Sequence, residues 1–286
     1  MRKTSLKDML RKGRLIAAPG IYDMISMRIA DRMGFEALYM TGYGTVASYL
    51  GLPDAGLASY TDMVDRVRAM CAMSNTPIIC DGDTGYGGLL NVAHTVKGYE
   101  AAGAGAIQLE DQEFPKKCGH TPGRRVIPVA DMVRKIKVVV EARSGDMLII
   151  ARTDARTTLG LDEALRRAEA YAKAGADVLF VESPESEEEL AKIGATFDLP
   201  LLVNIVESGR TPVLPPKVLE EMGFALAIYP ALGFLSAGHA LETAYGHLHR
   251  TRSSLDNPAP MADFMAFSKM MGFEAVWDFD RRHAED

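Results

Sequence analysis

One short unit recurs along this chain, and it leaves few folds open. A small or apolar residue and a glycine are followed at once by an apolar run. The unit reads MGFEALYM at Met33–Met40, AGAGAIQLE at Ala102–Glu110, AGADVLFVE at Ala174–Glu182 and MGFALAIYP at Met222–Pro230. In each, the glycine reads as a helix cap and the run as the strand that follows. Further strands read at Leu15–Ala18, ended by Pro19-Gly20, and at Pro77–Cys80, Met147–Ala151 and Pro200–Val203. Between them, apolar residues fall at helical spacing, as in Met24–Met33, Val92–Ala102, Val129–Arg143 and Leu161–Ala174. Eight strands alternating with helices imply parallel pairing. In a chain of 286 residues the expected architecture is α/β, a (β/α)8 barrel over residues 1–250. A doubly wound open sheet is the alternative, but no GxGxxG follows the first strand.

The strand ends carry the polar residues. Strand two leads into Thr41-Gly42-Tyr43, strand three into Asp81-Gly82-Asp83 and strand four into Glu110-Asp111. Strand five leads into Arg152, Thr153 and Asp154, strand six into Glu182, strand seven into Asn204 and strand eight into Tyr229-Pro230. In a barrel these ends converge on one face, where catalytic groups sit. A lone carboxylate after a strand is often a helix N-cap. That reading does not explain why polar groups end seven strands.

Asp81, Asp83, Glu110 and Asp111 would crowd carboxylates into one pocket, where each raises the pKa of the others. A hard divalent cation resolves the repulsion. Oxygen ligands favour Mg2+, with Mn2+ possible, over zinc. Such a cation chelates the carboxylate and 2-oxygen of a hydroxy or oxo acid, and Arg152 adds charge at that oxygen. The stretch QEFPKKCGHTPGRRV at Gln112–Val126 reads as a long polar loop with Cys118 at its centre. Lys116, Lys117, Arg124 and Arg125, with His120 beside them, suggest an easily ionised thiol on a closing loop. A solvated basic loop with an incidental cysteine is the plainer alternative. Cys80 in a strand and Cys71 on a helix read as core thiols.

The net charge of -6 weighs against nucleic acid or an anionic membrane surface as a partner. The basic N-terminus has no apolar core of a signal peptide, and no apolar run reaches the length of a membrane span. Three cysteines make no disulfide framework, so cytoplasm is the expected compartment.

The blocks YMTGYGTVASYLGLPD, DGDTGYGG, IQLEDQ, KKCGH, ARTDA, FVES and VNIVESGRTP, in this order over Leu15–His249, resemble the isocitrate lyase/phosphoenolpyruvate mutase superfamily. The pairing of DGDTGYG with KKCGH is its most diagnostic part. The resemblance implies a (β/α)8 barrel with a swapped last helix. It implies metal-site roles for Asp81 and Asp83, with Glu110 and Asp54 reaching the metal through water. It implies a substrate carboxylate held by Thr41, Gly42 and Tyr43, and substrate contacts from Tyr39, Gly119, His120, Arg152, Glu182 and Asn204. Cys118 matches the proton donor of the lyase branch, which points to carbon–carbon cleavage. Tyr43 and the HTPGRRVIP continuation depart from the tricarboxylate-cleaving members and lie nearer those acting on 2-alkylmalates. The implied substrate is a small di- or tricarboxylate, a 2-substituted malate cleaved through an enolate that Cys118 protonates. Tyr39 and Tyr43 are candidates for the base.

Oxaloacetate hydrolysis or decarboxylation at the same site is the alternative, and a non-catalytic binding barrel a third reading. Residues 251–286 read as a linker with Pro258 and Pro260, then one helix carrying Phe264, Phe267, Met271, Val276 and Trp277. With the resemblance, that apolar helix implies a homo-oligomer built from swapped dimers, a tetramer.

Overall fold

Strands buried on both faces must be apolar throughout, and the runs after the recurring glycines are. The computed structural model describes residues 5–119 and 123–284. Its strands are β1 (Ile16–Ile21), β2 (Leu38–Met40), β3 (Ile78–Asp81), β4 (Ala106–Glu110), β5 (Leu148–Thr153), β6 (Val178–Val181), β7 (Leu201–Asn204) and β8 (Phe224–Tyr229). All pair in parallel, and β8 closes on β1, so the sheet is a (β/α)8 barrel. The open-sheet alternative falls. The glycines of the recurring unit, Gly34, Gly103, Gly175 and Gly223, all have positive φ, from 82° to 106°. Each turns the chain out of a helix and into a strand at little steric cost.

Alternation divides each strand between two cores. Ile79, Leu148, Ile150, Val178, Phe180, Leu202 and Leu226 fill the barrel interior. Ile78, Cys80, Ile107, Ile149, Ala151 and Leu179 face the helices outside. Burying each large side chain stabilises the fold by about 1.5–3 kcal/mol.

The structure corrects one strand end. Pro19-Gly20 reads as a stop, but β1 continues to Ile21. Ile16–Pro19 pair with β8, whereas Gly20 and Ile21 pair with β2. The proline therefore sits where the strand changes partners, a position that tolerates a missing donor.

Two compact units divide the chain, Met1–Gly233 and Phe234–Asp286. The first contains the barrel. The second carries most of the helix Leu232–Thr251 and the helices Phe264–Met271 and Phe273–His283. The single C-terminal helix read from the sequence is thus two, broken at Gly272 with φ 103°. No residue of these three helices is buried.

Candidate active site

The strand ends bring Asp81, Asp83, Glu110, Arg152, Glu182 and Asn204 to one face of the barrel, each 6% exposed or less. Asp81 ends β3. Its Oδ1 accepts from the backbone N–H of Asp83 at 3.1 Å and from Gln108 Nε2 at 3.4 Å. Its Oδ2 accepts from the Gly42 N–H at 3.3 Å. A Cβ at Gly42 would lie 2.5 Å from that oxygen, so only glycine admits this approach. Thr41, Gly42 and Tyr43 lie at the start of a helix. Thr41 caps the helix Gly42–Leu50, whose first turn carries the other two. N–H groups at a helix N-terminus favour an anion, and here the Asp81 carboxylate takes that of Gly42.

Arg152, at the end of β5, is the hub. It donates to Asp154 through Nε at 2.9 Å and Nη2 at 2.8 Å. Its Nη1 lies 3.3 Å from Glu110, and its Nη2 lies 3.6 Å from Glu182. Burial alone would lower the guanidinium pKa, but Asp154, Glu110 and Glu182 outweigh it and keep Arg152 charged. Glu182 accepts from Asn204 Nδ2 at 3.3 Å and bonds Ser183 Oγ at 2.9 Å.

The loop after β4 folds back on itself. Gln112 bridges Val126, and Glu113 N–H donates to the Arg125 carbonyl at 2.8 Å. The Gln112 side chain bonds both the N–H and the carbonyl of Lys117. Lys116 is 3% exposed, with Nζ 2.5 Å from Asp54 and 2.6 Å from Asp83. Cys118 N–H donates to the Asp54 carbonyl at 3.2 Å, and Ser183 Oγ donates to the Gly119 carbonyl at 3.1 Å. A Cβ at Gly119 would lie 2.4 Å from Arg152 Nη2 and 2.9 Å from the Glu182 carboxyl carbon. The cysteine-bearing loop therefore lies directly over the carboxylate cluster, with Cys118 half-buried. His120 lies outside the described residues.

Three sequence readings change here. The cations near Cys118 are not an uncompensated patch. Lys116 pairs with two aspartates, Lys117 donates to the Gly123 carbonyl, Arg124 pairs with Asp154 and Arg125 with Glu113. Asp111 does not join the metal-site carboxylates. It is buried and accepts from Tyr171, Thr153, Arg167 and the Asp154 N–H at 2.7–3.0 Å. Tyr39 is unsuited to act as a base. Burial, then Asp81, pushes its phenol well above the usual 10.0, and its hydroxyl donates to Gln108. Tyr43 is 42% exposed.

The donor set fits a divalent cation. Burial raises Asp83 to about 7 against the opposing charge of Lys116, with Asp81 and Asp54 adding to the rise. Burial also raises Glu110 well above the carboxylate range against Arg152, and Glu110 Oε1 is buried without a hydrogen-bond partner. Among the described residues, no three carboxylate, His or Cys groups converge at direct-ligand distance. A divalent cation here would have few direct protein ligands and would need water and substrate oxygens to complete its shell, as Mg2+ accepts.

Sequence reasoning missed Lys116, Gln108 and Ser183 as site residues and gave Asp154, named at the end of strand five, no role. Lys116 had a signal, a lysine doublet on a loop facing a carboxylate-rich barrel mouth. The other three are partners of strand-end residues and show only in three dimensions.

The family model described as phosphoenolpyruvate phosphomutase matches residues 6–249. The 2,3-dimethylmalate lyase of Eubacterium barkeri is 43% identical over 280 residues, covering 98% of this chain and 97% of that protein. Oxaloacetate acetylhydrolase in complex with 3,3-difluorooxalacetate superposes with a TM-score of 0.93 at 33% identity, covering 99% of this chain and 97% of that one. Phosphonopyruvate hydrolase in complex with oxalate and Mg++ gives 0.88 at 27% identity, with 98% of each chain covered.

Proposed function

The chain belongs to the phosphoenolpyruvate mutase/isocitrate lyase superfamily, and from that premise we propose a Mg2+-dependent carbon–carbon lyase acting on a 2-substituted malate. The products are a 2-oxo acid and a carboxylic acid; 2,3-dimethylmalate, the substrate named by the relative from Eubacterium barkeri, is the first candidate. The observation that carries this reading is the seat of Gly119 against Arg152 and Glu182, which holds the cysteine-bearing loop over the carboxylates. A decarboxylase needs no thiol delivered to that place.

Mg2+, when bound, supplies Lewis-acid charge at the substrate's carboxylate and 2-oxygen. The residues that would hold it are Asp81, Asp83, Glu110 and Asp54. The first turn of the helix Gly42–Leu50 receives a substrate carboxylate on its N–H groups. The 2-hydroxyl gives its proton to a carboxylate of the barrel mouth, and Arg152, kept charged by three carboxylates, stabilises the 2-oxygen as the C2–C3 bond breaks and that oxygen becomes a carbonyl. The bonding pair stays on C3 as the enolate of the departing acid. Cys118 gives its proton to that carbon, and loop closure keeps bulk water from competing. Lys116 compensates Asp54 and Asp83 from the same loop, so seating the loop also neutralises the pocket.

The similarity to oxaloacetate acetylhydrolase favours one second reading, hydrolysis of oxaloacetate at this site. Turnover of a panel of 2-alkylmalates and oxaloacetate by the native chain and by Cys118→Ser separates them. Substituted malates cleaved by the native chain, and far more slowly by the variant, support the lyase. Oxaloacetate as the sole substrate overturns it.

The second compact unit supports assembly into a homo-oligomer of swapped dimers, a tetramer. Its helices bury nothing, and Phe264, Phe273, Val276 and Phe279 are 48–79% exposed. Large apolar side chains left exposed together on two helices suit an interface. A full-length chain that sediments as a monomer at micromolar concentration would refute the assembly.

A further inference from the structure

Arg124 stands on the return limb of the loop that carries Cys118, yet it is 3% exposed. Its Nη1 donates to Asp154 Oδ1 at 2.7 Å, and its Nη2 donates to Thr157 Oγ1 at 2.7 Å. The same Asp154 oxygen accepts from Arg152 Nη2 at 2.8 Å, and the other oxygen accepts from Arg152 Nε at 2.9 Å. Asp154 is fully buried, and its backbone N–H is fixed by Asp111 at 2.9 Å. One carboxylate thus serves two guanidiniums, one from the loop and one from the floor of the site.

The outgoing limb meets the same group from the other side. Gly119 leaves no space for a Cβ beside Arg152 Nη2, and its carbonyl is held by Ser183. Arg152 is therefore bounded by the loop's outgoing limb through contact and by its return limb through a shared carboxylate. Two parallel donors to one carboxylate fix a guanidinium in angle as well as in position. If Asp154 turned, Arg152 would lose that plane.

We propose that Arg124 is a positioning residue which, through Asp154, ties the seating of the Cys118 loop to the orientation of Arg152. With the loop seated, Arg124 completes the carboxylate's bonding and locks the plane of Arg152. With the loop lifted, Asp154 loses a partner and Arg152 is held on one side only. Substrate that orients Arg152 then favours the seated loop, and the seated loop favours productive substrate.

The inference rests on the lyase reading for its kinetic arm alone. The other arm is the rate at which iodoacetamide alkylates Cys118, followed by peptide mass spectrometry, and needs no turnover. Arg124→Met keeps length and packing but removes both donors. It is expected to raise the alkylation rate at least tenfold and to lower kcat 10- to 100-fold, with KM changed by less than threefold. Arg124→Lys, which restores one donor, is expected to recover part of both effects. Thr157→Val, which removes only the outer anchor, is expected to raise alkylation two- to fivefold. Faster alkylation with an unchanged kcat would overturn the coupling to Arg152. Unchanged alkylation in both Arg124→Met and Thr157→Val would overturn the anchor itself. A lower melting temperature with native kcat per folded molecule would reduce Arg124 to a structural role. If no substrate is found for the native chain, the alkylation arm still decides the anchor, and the failure belongs to the lyase reading.

Discussion

Gly119→Ala adds one methyl group at the point where the loop meets the site. Its Cβ would lie 2.4 Å from Arg152 Nη2 and 2.9 and 3.0 Å from Glu182 side-chain carbons. A flexible arginine tip often yields to such a contact, but this one is held by Asp154 through two bonds and flanked by Glu110. Glu182 is fully buried and bonded to Ser183 and Asn204. Neither side yields cheaply, so the closed loop bears the strain. Overpacking a filled site costs about 1–3 kcal/mol, which lowers the closed population by roughly 5- to 150-fold. Opening the loop relieves the strain, so the barrel itself is undisturbed. The expected result is a kcat reduced by about one to two orders of magnitude, faster alkylation of Cys118 and a melting temperature near native. Steady-state kinetics on a substituted malate, with calorimetry on the same samples, makes the check. Native kcat in Gly119→Ala would refute a loop that works seated against Arg152.

In Cys118→Ser the donor is a far weaker acid of similar size, so kcat should fall by about 10²–10⁴-fold with substrate still bound; near-native cleavage would remove the cysteine from the mechanism. Burial raises Asp83 from 3.8 to about 7, so the folded chain holds a proton that the unfolded chain has released between those values. The group's contribution to stability in metal-free protein therefore falls as pH rises through that window, and Mg2+ should stabilise more at pH 8 than at pH 5. Thermal shifts with and without Mg2+ at the two pH values test this, and an equal Mg2+ shift at both would contradict it. Asp111→Ala strips buried Arg167, Tyr171 and Thr153 of a shared acceptor and should destabilise the fold by about 3–5 kcal/mol in urea titration; a loss below 1 kcal/mol would refute a structural Asp111. Removal of residues 258–286 should leave dissociated or aggregating protein, as read by sedimentation, and an intact native oligomer would contradict the swapped assembly.

The barrel was legible because its determinants are local. A glycine with positive φ, then an apolar run, then a polar residue is a pattern that three or four neighbours enforce, and it repeats. The strand-end residues were legible for the same reason, since parallel closure alone brings Asp81, Glu110 and Arg152 together. What the sequence hid is which way a side chain turns once there. Glu110 and Asp111 are adjacent, yet strand alternation sends the first into the mouth and the second toward Arg167 and Tyr171 of the helix Leu161–Lys173. Arg124 and Arg125 are adjacent too, and only the first is buried on Asp154. Counting charges near Cys118 could not separate them, because their partners are distant in sequence. Pro19 misled for a related reason: the cost of its missing donor depends on where β1 changes neighbours, which only the closed barrel decides.

Cleavage of 2,3-dimethylmalate in D2O with Mg2+, read by NMR of the products, tests the central claim most directly. The account predicts a 2-oxo acid and a carboxylic acid bearing one deuterium, in a single configuration, at the carbon that left, with the rate collapsing in Cys118→Ser. Deuterium scrambled between both configurations, or no carbon–carbon cleavage of any substituted malate, would contradict it.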